Sequence, residues 1–388
     1  MSTPSVDIRP PEGKEFRGVV RAFDEPRPKL DLPVVDCAVH VQPSSDAQLR
    51  EYMDPAWRDR RLPSGERYYH PNPVGDYCAD TWPPHGPPGS DRELVTRQLL
   101  DIAGVRDAVL LPKTRGIMPD IDFAAEICTA TNRWQHERWL TSGDRAEQFW
   151  GTIRVCPDDP QAAALEIKRW AAQPAFVQVG IPLQSLQPYG RRVYLPVWEA
   201  AAQHGLPVVI HADAASGVEP FTTPAGYQTY FAEYAAYLSL NFTFHFQSLL
   251  AEGVFERFPD LVVVFADGGQ DVLAPLLWRW EKDYLPTRNQ MPWMRTGPSG
   301  YLSHFRFVTQ RYEGPEEPSL SREWADMSHT AAVGLYGGNY PEWDYLDPRV
   351  ALAGLDDEVR WQVFVGNPQS LYRLDERRAE RTDRRGGV

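Results

Sequence analysis

The sequence predicts one α/β domain, a (β/α)8 TIM barrel with long loops inserted at the C-terminal face of its strands. Short β-branched or apolar runs alternate with helical patterns along the chain, which favours a closed parallel sheet. Polar residues close several of these runs, and three of the connections exceed the usual two to six residues. A chain of 388 residues has room for such a barrel with insertions.

Eight apolar runs are predicted to be the strands of this barrel. They are residues 32–41, 107–112, 149–155, 175–182, 206–211, 241–246, 261–269 and 332–338. The three long connections cover residues 42–92, 212–236 and 267–330. Because the loops that follow the strands form the catalytic face of a barrel, we expect these connections to build a pocket.

The two ends of the chain differ in composition from the barrel. Residues 1–30 are rich in proline and charge and are interpreted as an N-terminal arm, and residues 31–374 as the barrel. Residues 375–388 are dominated by charged side chains, so we expect a solvated tail.

Charge and cysteine usage exclude several classes of protein. A formal net charge of -13 opposes nucleic-acid binding, and no apolar run is long enough to span a membrane. The 4 cysteines show neither CxxC nor zinc-finger spacing, which suits a reducing compartment. We therefore expect a soluble cytoplasmic protein that does not bind nucleic acid. No GxSxG, Walker or dinucleotide-binding motif is present.

The first strand carries a polar pattern typical of a metal-binding first strand. Strand alternation predicts that Asp36, Ala38 and His40 point to one face, at the mouth of the barrel. By the same alternation Cys37 points into the layer between barrel and helices, so it is rejected as a nucleophile.

Later strands are predicted to bring further polar side chains to the same mouth. His211 ends predicted strand five, His245 lies on predicted strand six, and Asp267 ends predicted strand seven. The last strand runs into residues 338–344, with the sequence GNYPEWD. A purely structural role would not require these polar side chains to converge on one mouth of the barrel. Their convergence therefore favours a functional site.

Several longer segments resemble the amidohydrolase-related family, which includes metal-dependent hydrolases and the aminocarboxymuconate-semialdehyde and resorcylate decarboxylases. The resemblance covers most of the chain and is carried by DCAVHVQP, PYGRRVYLPVWEAAAQHGLPVVIHA, SLLAEGVFERFPDLVVVFADGG, PSGYL, YPEWDYLDP and VGNPQSLYRL. It implies a metal-assisted barrel enzyme, and also a homodimer, because dimers are common in this family.

The metal ligands that the resemblance implies map to Ala38, His40, His211 and Asn339. Alanine cannot bind a metal and asparagine offers only a neutral oxygen, so two good ligands remain. No cofactor is therefore expected. If a divalent metal such as zinc binds, His40 and His211 would hold it, with Asp36, Asp213 or Asp267 as substitute carboxylates.

Acid/base chemistry without a metal is the function that these residues favour. His245 resembles the family's non-ligand base and is predicted to move the proton, while His211 and His40 stabilise charge. Asp267 is predicted to orient an imidazole, or to serve as a structural cap. Asn339, Glu342 and Tyr340 are predicted to bind substrate.

Three functions stay open at this point. The first is a metal-independent hydrolase or lyase that acts on a small organic molecule, aromatic or carboxylated. The second is a metal-dependent hydrolase or non-oxidative decarboxylase with substitute ligands. The third is a non-catalytic binding or partner subunit. Resistance of the activity to chelators separates the first from the second, and ligand binding without turnover identifies the third.

Overall fold

The computed structural model describes residues 21–23, 27–63, 76–114, 118–213, 229–266, 268–309, 314–315 and 317–386. Eight parallel strands form one sheet in the order β1 to β8, so the predicted barrel is confirmed. The strands are β1 Val35–Val39, β2 Asp107–Leu110, β3 Phe149–Arg154, β4 Phe176–Pro182, β5 Val208–His211, β6 Val263–Ala266, β7 Phe305–Val308 and β8 Gly334–Leu335.

Helices follow the strands and cover the outside of the sheet. They are α1 Asp46–Glu51, α2 Arg92–Val95, α3 Ile121–Gln135, α4 Pro160–Ala171, α5 Leu195–Gln203, α6 Phe231–Ala251, α7 Val254–Arg257, α8 Leu273–Thr287, α9 Pro318–Met327, α10 Thr330–Val333, α11 Asp357–Trp361, α12 Asn367–Tyr372 and α13 Leu374–Gly386. Within the described ranges, none of these helices combines the length and apolar character needed to cross a membrane.

Main-chain hydrogen bonds between the end of β8 and β1 close the barrel. The Cys37 N–H donates to Tyr336 O at 2.8 Å, and the His40 N–H donates to Tyr340 O at 2.8 Å. Val39 and Tyr340 also form a parallel bridge. The loop after β8 is thereby held against the end of β1, where the two candidate site segments meet.

A β-bulge in β1 overturns the predicted facing of its side chains. The pairing with β2 shifts register between Asp36 and Val39. As a result Cys37 and Ala38 both join the apolar cluster to which all eight strands contribute, which is the barrel interior. Asp36 points the other way, where Gly338 N–H donates to its Oδ1 at 3.0 Å. Asp36 therefore does not share a face with His40, and Cys37 faces inward.

Residues 241–246 were predicted to be a strand but are helical, and strand β7 was not predicted. The sequence NFTFHF alternates aromatic and polar residues, but it lies inside α6. Leu238, Phe242, Phe246 and Leu249 are buried at helical spacing, which shows that the longer period decides the structure. The missed strand, β7, lies within the predicted connection 267–330; it has four residues and carries Arg306 in its middle.

The expectation of a solvated C-terminal tail is also wrong. Residues 374–386 form α13, which lies across the starts of β2, β3 and β4. Arg381 is buried and donates to Phe149 O, Leu140 O and Ala146 O. Arg378 donates to Asp107 Oδ1 at 2.5 Å. Arg381 thus satisfies main-chain carbonyls, and Arg378 a buried carboxylate, at the end of the barrel opposite the candidate site.

Candidate active site

Two histidines lie side by side at the carboxyl ends of β1 and β5. The ring centroids of His40 and His211 are 4.7 Å apart, with an angle of 35° between the ring planes. Both side chains are buried. The structure therefore brings together two of the residues that the sequence predicted, at the catalytic face of the barrel.

Asp213 orients His211 and is itself held by a buried network. Its Oδ1 lies 2.9 Å from His211 Nδ1. Its Oδ2 accepts from Thr114 N–H at 3.1 Å, from Thr114 Oγ1 at 2.5 Å and from Arg154 Nη2 at 2.5 Å. Burial raises the pKa of Asp213, but Arg154 and the hydrogen bonds from His211 and Thr114 outweigh it and place that pKa below its ordinary value. Asp213 is thus a carboxylate that accepts a hydrogen bond from His211 Nδ1–H.

His40 is held between two hydrogen-bond acceptors. Its Nδ1 lies 3.0 Å from Leu111 O, and its Nε2 lies 2.7 Å from Asn339 Oδ1. The amide of Asn339 is oriented by Asp344, whose Oδ1 accepts from Asn339 Nδ2 at 2.6 Å. A carbonyl oxygen can only accept, so both ring nitrogens of His40 must donate for both contacts to be hydrogen bonds.

The loop residue Asn339 supplies this contact from an unusual backbone conformation. Its φ of 59° lies in the left-handed region, which asparagine tolerates better than most residues other than glycine. Asn339 therefore lies at the mouth as predicted, but as a bridge between an imidazole and a carboxylate.

A cavity of about 180 Å³ opens beside His40. Its lining includes His40 and Gln42 after β1, Leu49 of α1, Lys113 after β2, Ile127 of α3 and Glu342 after β8. The predicted connection 42–92 contributes much of this wall, which agrees with its expected role in building a pocket. Apolar side chains beside charged ones suit a small organic molecule with a polar end.

Lys113 and Glu342 form an ion pair in the wall of this cavity. Lys113 Nζ lies 2.5 Å from Glu342 Oε1. The backbone around Glu342 is fixed, because Tyr77 bridges to it and Trp343 N–H donates to Asp76 O. The prediction that Glu342 contacts substrate is compatible with its place in the cavity wall.

The segment 111–114 after β2 ties these groups together, although the sequence analysis assigned it no function. Leu111 O faces His40, Lys113 pairs with Glu342, and Thr114 binds Asp213. The signal was available in the sequence, since Lys-Thr directly follows an apolar strand in DAVLLPKT. Asp213 gave a similar signal, two residues after His211.

Tyr340 does not lie in the cavity wall. Its side chain is buried in the outer apolar layer, and its hydroxyl donates to Gln98 Oε1 at 2.7 Å. The neighbouring Asn339 faces the mouth, so Tyr340 points outward and the predicted substrate contact has no geometric support. Asp267 lies outside the described residues; the role of orienting an imidazole is filled for His211 by Asp213.

His245 lies on α6 and not on a strand, which corrects its predicted place. Its Nδ1 accepts from Tyr189 N–H at 3.2 Å, and its Nε2 lies 2.8 Å from Leu183 O. Burial lowers the pKa of His245 to about 4. The His245 ring is therefore neutral, and both of its nitrogens bond main-chain groups. These bonds connect α6 to the loop after β4. The geometry gives no support to His245 as the general base.

Within the part of the chain that the structure describes, which leaves out Asp267, the donor atoms at the mouth are fewer than a catalytic divalent-metal site uses. Among the described residues no group of three His, Cys, Asp or Glu side chains is placed to hold a metal ion. Asn339 offers an amide oxygen, and Asp36 is turned away. The space beside Ala38 is taken by the loop after β8, since a Cβ on Gly337 would lie 2.9 Å from Ala38 Cβ. Two imidazoles and an amide are fewer strong donors than such sites use.

Comparison with known proteins places this chain in a family. The family model described as Amidohydrolase matches residues 35–374, which is most of the chain. A search of curated protein sequences finds no match.

Solved structures of similar fold include an amidohydrolase and several aromatic-acid decarboxylases. An amidohydrolase from Mycobacterium avium subsp. paratuberculosis K-10 has 18% identity and a TM-score of 0.64, covering 88% of this chain and 98% of its own. The 5-carboxyvanillate decarboxylase LigW from Sphingomonas paucimobilis has 20% identity and a TM-score of 0.60, covering 88% and 99%. LigW2 from Novosphingobium aromaticivorans, as an Asp-to-Asn mutant with bound manganese and 3-methoxy-4-hydroxy-5-nitrobenzoic acid, has 17% identity and a TM-score of 0.61, covering 92% and 99%. Identity this low shows a shared fold.

Proposed function

The chain belongs to the amidohydrolase family and is an enzyme of the hydrolase or lyase class; from this premise we propose that it decarboxylates a small aromatic acid by proton transfer from His211. The single observation that carries the proposal is the pair of His40 and His211, each fixed by hydrogen bonds in its own orientation. The decarboxylases among the solved structures support the choice of a lyase over a hydrolase.

His211 is the proton donor in this reaction. Asp213 accepts from Nδ1, so Nε2 is the nitrogen whose protonation changes, and the carboxylate stabilises the imidazolium. The ring carbon that bears the carboxylate takes the Nε2 proton, and a ring π pair forms the new C–H bond. The C–C bond to the carboxylate then breaks, its electron pair restores the aromatic ring, and CO2 leaves. One proton is consumed per turnover, and solvent returns it to His211.

His40 stabilises negative charge on the substrate. It donates to Leu111 O and to Asn339 Oδ1, and Asn339 is in turn held by Asp344. A cation fixed by two short contacts needs little reorganisation when an anionic group arrives beside it. In a buried site such an interaction is stronger than in water.

Metal dependence is the competing form of the same proposal, because three of the solved decarboxylase structures hold manganese. The donor set of this chain supports the metal-independent form. The deciding measurement is elemental mass spectrometry of protein purified without a metal-affinity column, with activity assayed before and after chelator. Metal below about one tenth per chain with unchanged activity supports the proposal, and near-stoichiometric metal whose removal abolishes activity overturns the metal-independent form.

The reaction itself is tested with a panel of benzoic acids that carry hydroxyl or carboxyl substituents, by mass spectrometry of the products. We expect at least one panel member to lose CO2. His211→Asn should lower its turnover by about 10²- to 10⁴-fold, because the proton donor is lost. The matched control is His204→Asn, which changes a histidine in the turn after α5. Loss of activity in both variants, or in neither, contradicts the assignment.

A further inference from the structure

Phe23, near the start of the chain, packs against the loop after β8 that carries Asn339. Its side chain is 8% exposed and belongs to the outer apolar layer of the barrel. The centroid of its ring lies 5.0 Å from that of Tyr345 and 5.9 Å from that of Tyr340. Phe23 precedes residues 35–374, the part of the chain that the family model matches. A side chain from outside the matched barrel therefore reaches a loop of the candidate site.

The main chain around Phe23 is fastened to a further segment beside the same loop. The Ala22 N–H donates to Asp80 Oδ2 at 3.0 Å, and the Phe23 N–H donates to the same oxygen at 2.7 Å. Two residues before Asp80, the Cys78 N–H donates to Pro341 O at 3.1 Å. Because hydrogen bonds to a carboxylate are strong, this segment fixes the Phe23 ring in its place on the loop.

The loop after β8, residues 338–346, holds a conformation that needs support. Main-chain hydrogen bonds within it run from Tyr345 N–H to Glu342 O at 3.1 Å and from Glu342 N–H to Asn339 O at 2.8 Å. Asn339 has a left-handed backbone, with a φ of 59°. Such a conformation costs free energy and persists only where the surrounding structure holds it. Residues that pack on the loop therefore help to set the position of the Asn339 amide.

Phe23 packs on the two tyrosines that are next in sequence to the Asn339–Asp344 contact. Tyr340 directly follows Asn339, and Tyr345 directly follows Asp344, whose Oδ1 accepts from Asn339 Nδ2 at 2.6 Å. The rings of the two tyrosines are 6.1 Å apart and nearly perpendicular, so the three aromatic rings form one cluster. A shift of either tyrosine would displace one partner of the Asn339–Asp344 contact.

We propose that Phe23 is a positioning residue for the proposed reaction, and that its packing on the loop after β8 keeps Asn339 Oδ1 in contact with His40 Nε2. The inference rests on the proposed function for the role of His40 in stabilising charge. Among the described residues Phe23 is not part of the cavity wall, so it acts through the loop. A small displacement of an oriented group lowers turnover more than it weakens binding.

Hydrogen exchange of the full-length protein, followed by mass spectrometry of peptides from the loop, tests this inference without any turnover. In Phe23→Ala the amides of Glu342, Tyr345 and Leu346 should exchange about tenfold or more faster, because loss of the ring lets the loop open locally. Phe23→Leu should restore most of the protection, because it keeps apolar bulk at this position. Asp80→Ala should also speed exchange, since it releases the main chain of Phe23 and keeps the ring.

The matched control is Phe255→Ala, which removes another buried aromatic ring far from the loop. Phe255 is 3% exposed and packs on His304 and Phe305, where β7 begins. This variant should lower the melting temperature and leave exchange in the loop unchanged. Unchanged loop exchange in Phe23→Ala, or an equal increase in Phe255→Ala, would overturn the inference.

Steady-state kinetics with a decarboxylated panel acid give the second readout. Phe23→Ala should lower kcat about tenfold and change KM less than about threefold, because Glu342 is the one described residue of the loop in the cavity wall. Phe255→Ala should keep both values. A loosened loop with unchanged kcat would overturn the link to His40. Faster loop exchange in a protein that decarboxylates nothing would reject the proposed reaction but keep Phe23 as the support of the loop; decarboxylation with unchanged loop exchange would do the reverse.

Discussion

At the scale of single residues, Asp213 is the group on which the proposed chemistry depends most. It accepts hydrogen bonds from His211, Thr114 and Arg154, all within the interior. Asp213→Asn should lower turnover by about 10²- to 10⁴-fold, because an amide cannot stabilise the His211 imidazolium as a carboxylate does. It should also lower the free energy of unfolding by about 3–5 kcal/mol, since Arg154 loses its buried counterion.

Steady-state kinetics and urea unfolding measure the two effects of Asp213→Asn separately. Thr114→Val is the informative comparison, because it removes one hydrogen bond to Asp213 and leaves the carboxylate in place. It should cost stability with a much smaller loss of turnover. Equal loss of turnover in both variants would show that the carboxylate itself does not matter.

Asp36 predicts a pH dependence of stability. Burial raises its pKa from 3.8 to about 7, although Gly338 and Ala38 N–H groups donate to it and lower it. The folded protein therefore binds more protons than the unfolded chain between these values, so the free energy of unfolding falls as pH rises through this window, by about 4 kcal/mol in all. Asp36→Asn should remove this fall, as measured by urea unfolding from pH 4 to pH 8.

His245 contributes to the same profile with the opposite sign. Its pKa is lowered from 6.5 to about 4, so the unfolded chain binds more protons there and stability rises with pH. Asp36→Asn should thus expose a rising profile, and His245→Asn a falling one. Identical profiles for the two variants would contradict both assignments.

Asn339 offers an amide oxygen to the mouth, where a carboxylate would be a stronger metal donor. Asn339→Asp places a carboxylate beside His40 and His211, which supplies the third strong donor. We expect this variant to retain more manganese than the unmodified protein after dialysis, as measured by elemental mass spectrometry. Equal and near-stoichiometric manganese in both proteins would show that the donor set is already complete.

Some of the site residues could be predicted from the sequence and others could not. His40, His211 and Asn339 were found because each closes an apolar run, and Glu342 because it lies in the same terminal segment. The directions in which the Asp36 and Cys37 side chains point were predicted wrongly. A β-bulge interrupts the strand alternation, and nothing in the sequence marks it. Lys113 and Thr114 follow an apolar run as well, but neither residue type stood out as catalytic.

At the scale of elements, α6 carries a histidine, His245, whose role is structural, whereas the proposed catalytic His211 ends β5. His245 holds the loop after β4 through Tyr189 and Leu183. His245→Asn should lower the free energy of unfolding by about 1–3 kcal/mol, the cost of leaving buried main-chain groups without a partner. Turnover per folded molecule should stay within about threefold, in contrast to His211→Asn. A loss as large as that of His211→Asn would restore His245 as the base.

The terminal helix α13 is an element of stability. Arg381 donates to three main-chain carbonyls and lies 4.9 Å from the Trp150 ring centroid. Arg381→Met should destabilise the fold by about 3 kcal/mol, because buried acceptors lose a charged donor. Arg384→Met changes an exposed arginine of the same helix and should cost less than about 1 kcal/mol. Similar melting temperatures for the two variants would contradict this account.

Seven of the eight strands were predicted correctly, because their β-branched or apolar runs are short and bounded by turn residues. The aromatic alternation in NFTFHF misled the prediction of a strand, and β7 was missed because it is brief and contains a charge. Charge alone also misjudged α13, since its arginines reach carbonyl acceptors that only the folded barrel presents. In each of these cases tertiary contacts decide against the local pattern.

At the scale of the whole molecule, the two ends of the barrel have different tasks. The buried arginines of α13 close the end where the strands begin, and the two histidines, Asn339 and the cavity lie where they finish. The family match over residues 35–374 agrees with one barrel, while the arm, the homodimer and the cytoplasmic location stay predictions.

The most direct test of the central claim is decarboxylation in D2O by chelator-treated protein. Each member of the benzoic acid panel is incubated and the products are analysed by mass spectrometry. The account predicts a product that has lost CO2 and gained one deuterium on the ring, formed at the same rate before and after chelation and lost in His211→Asn. Turnover that appears only when manganese is returned, or no decarboxylated product from any panel member, would contradict it.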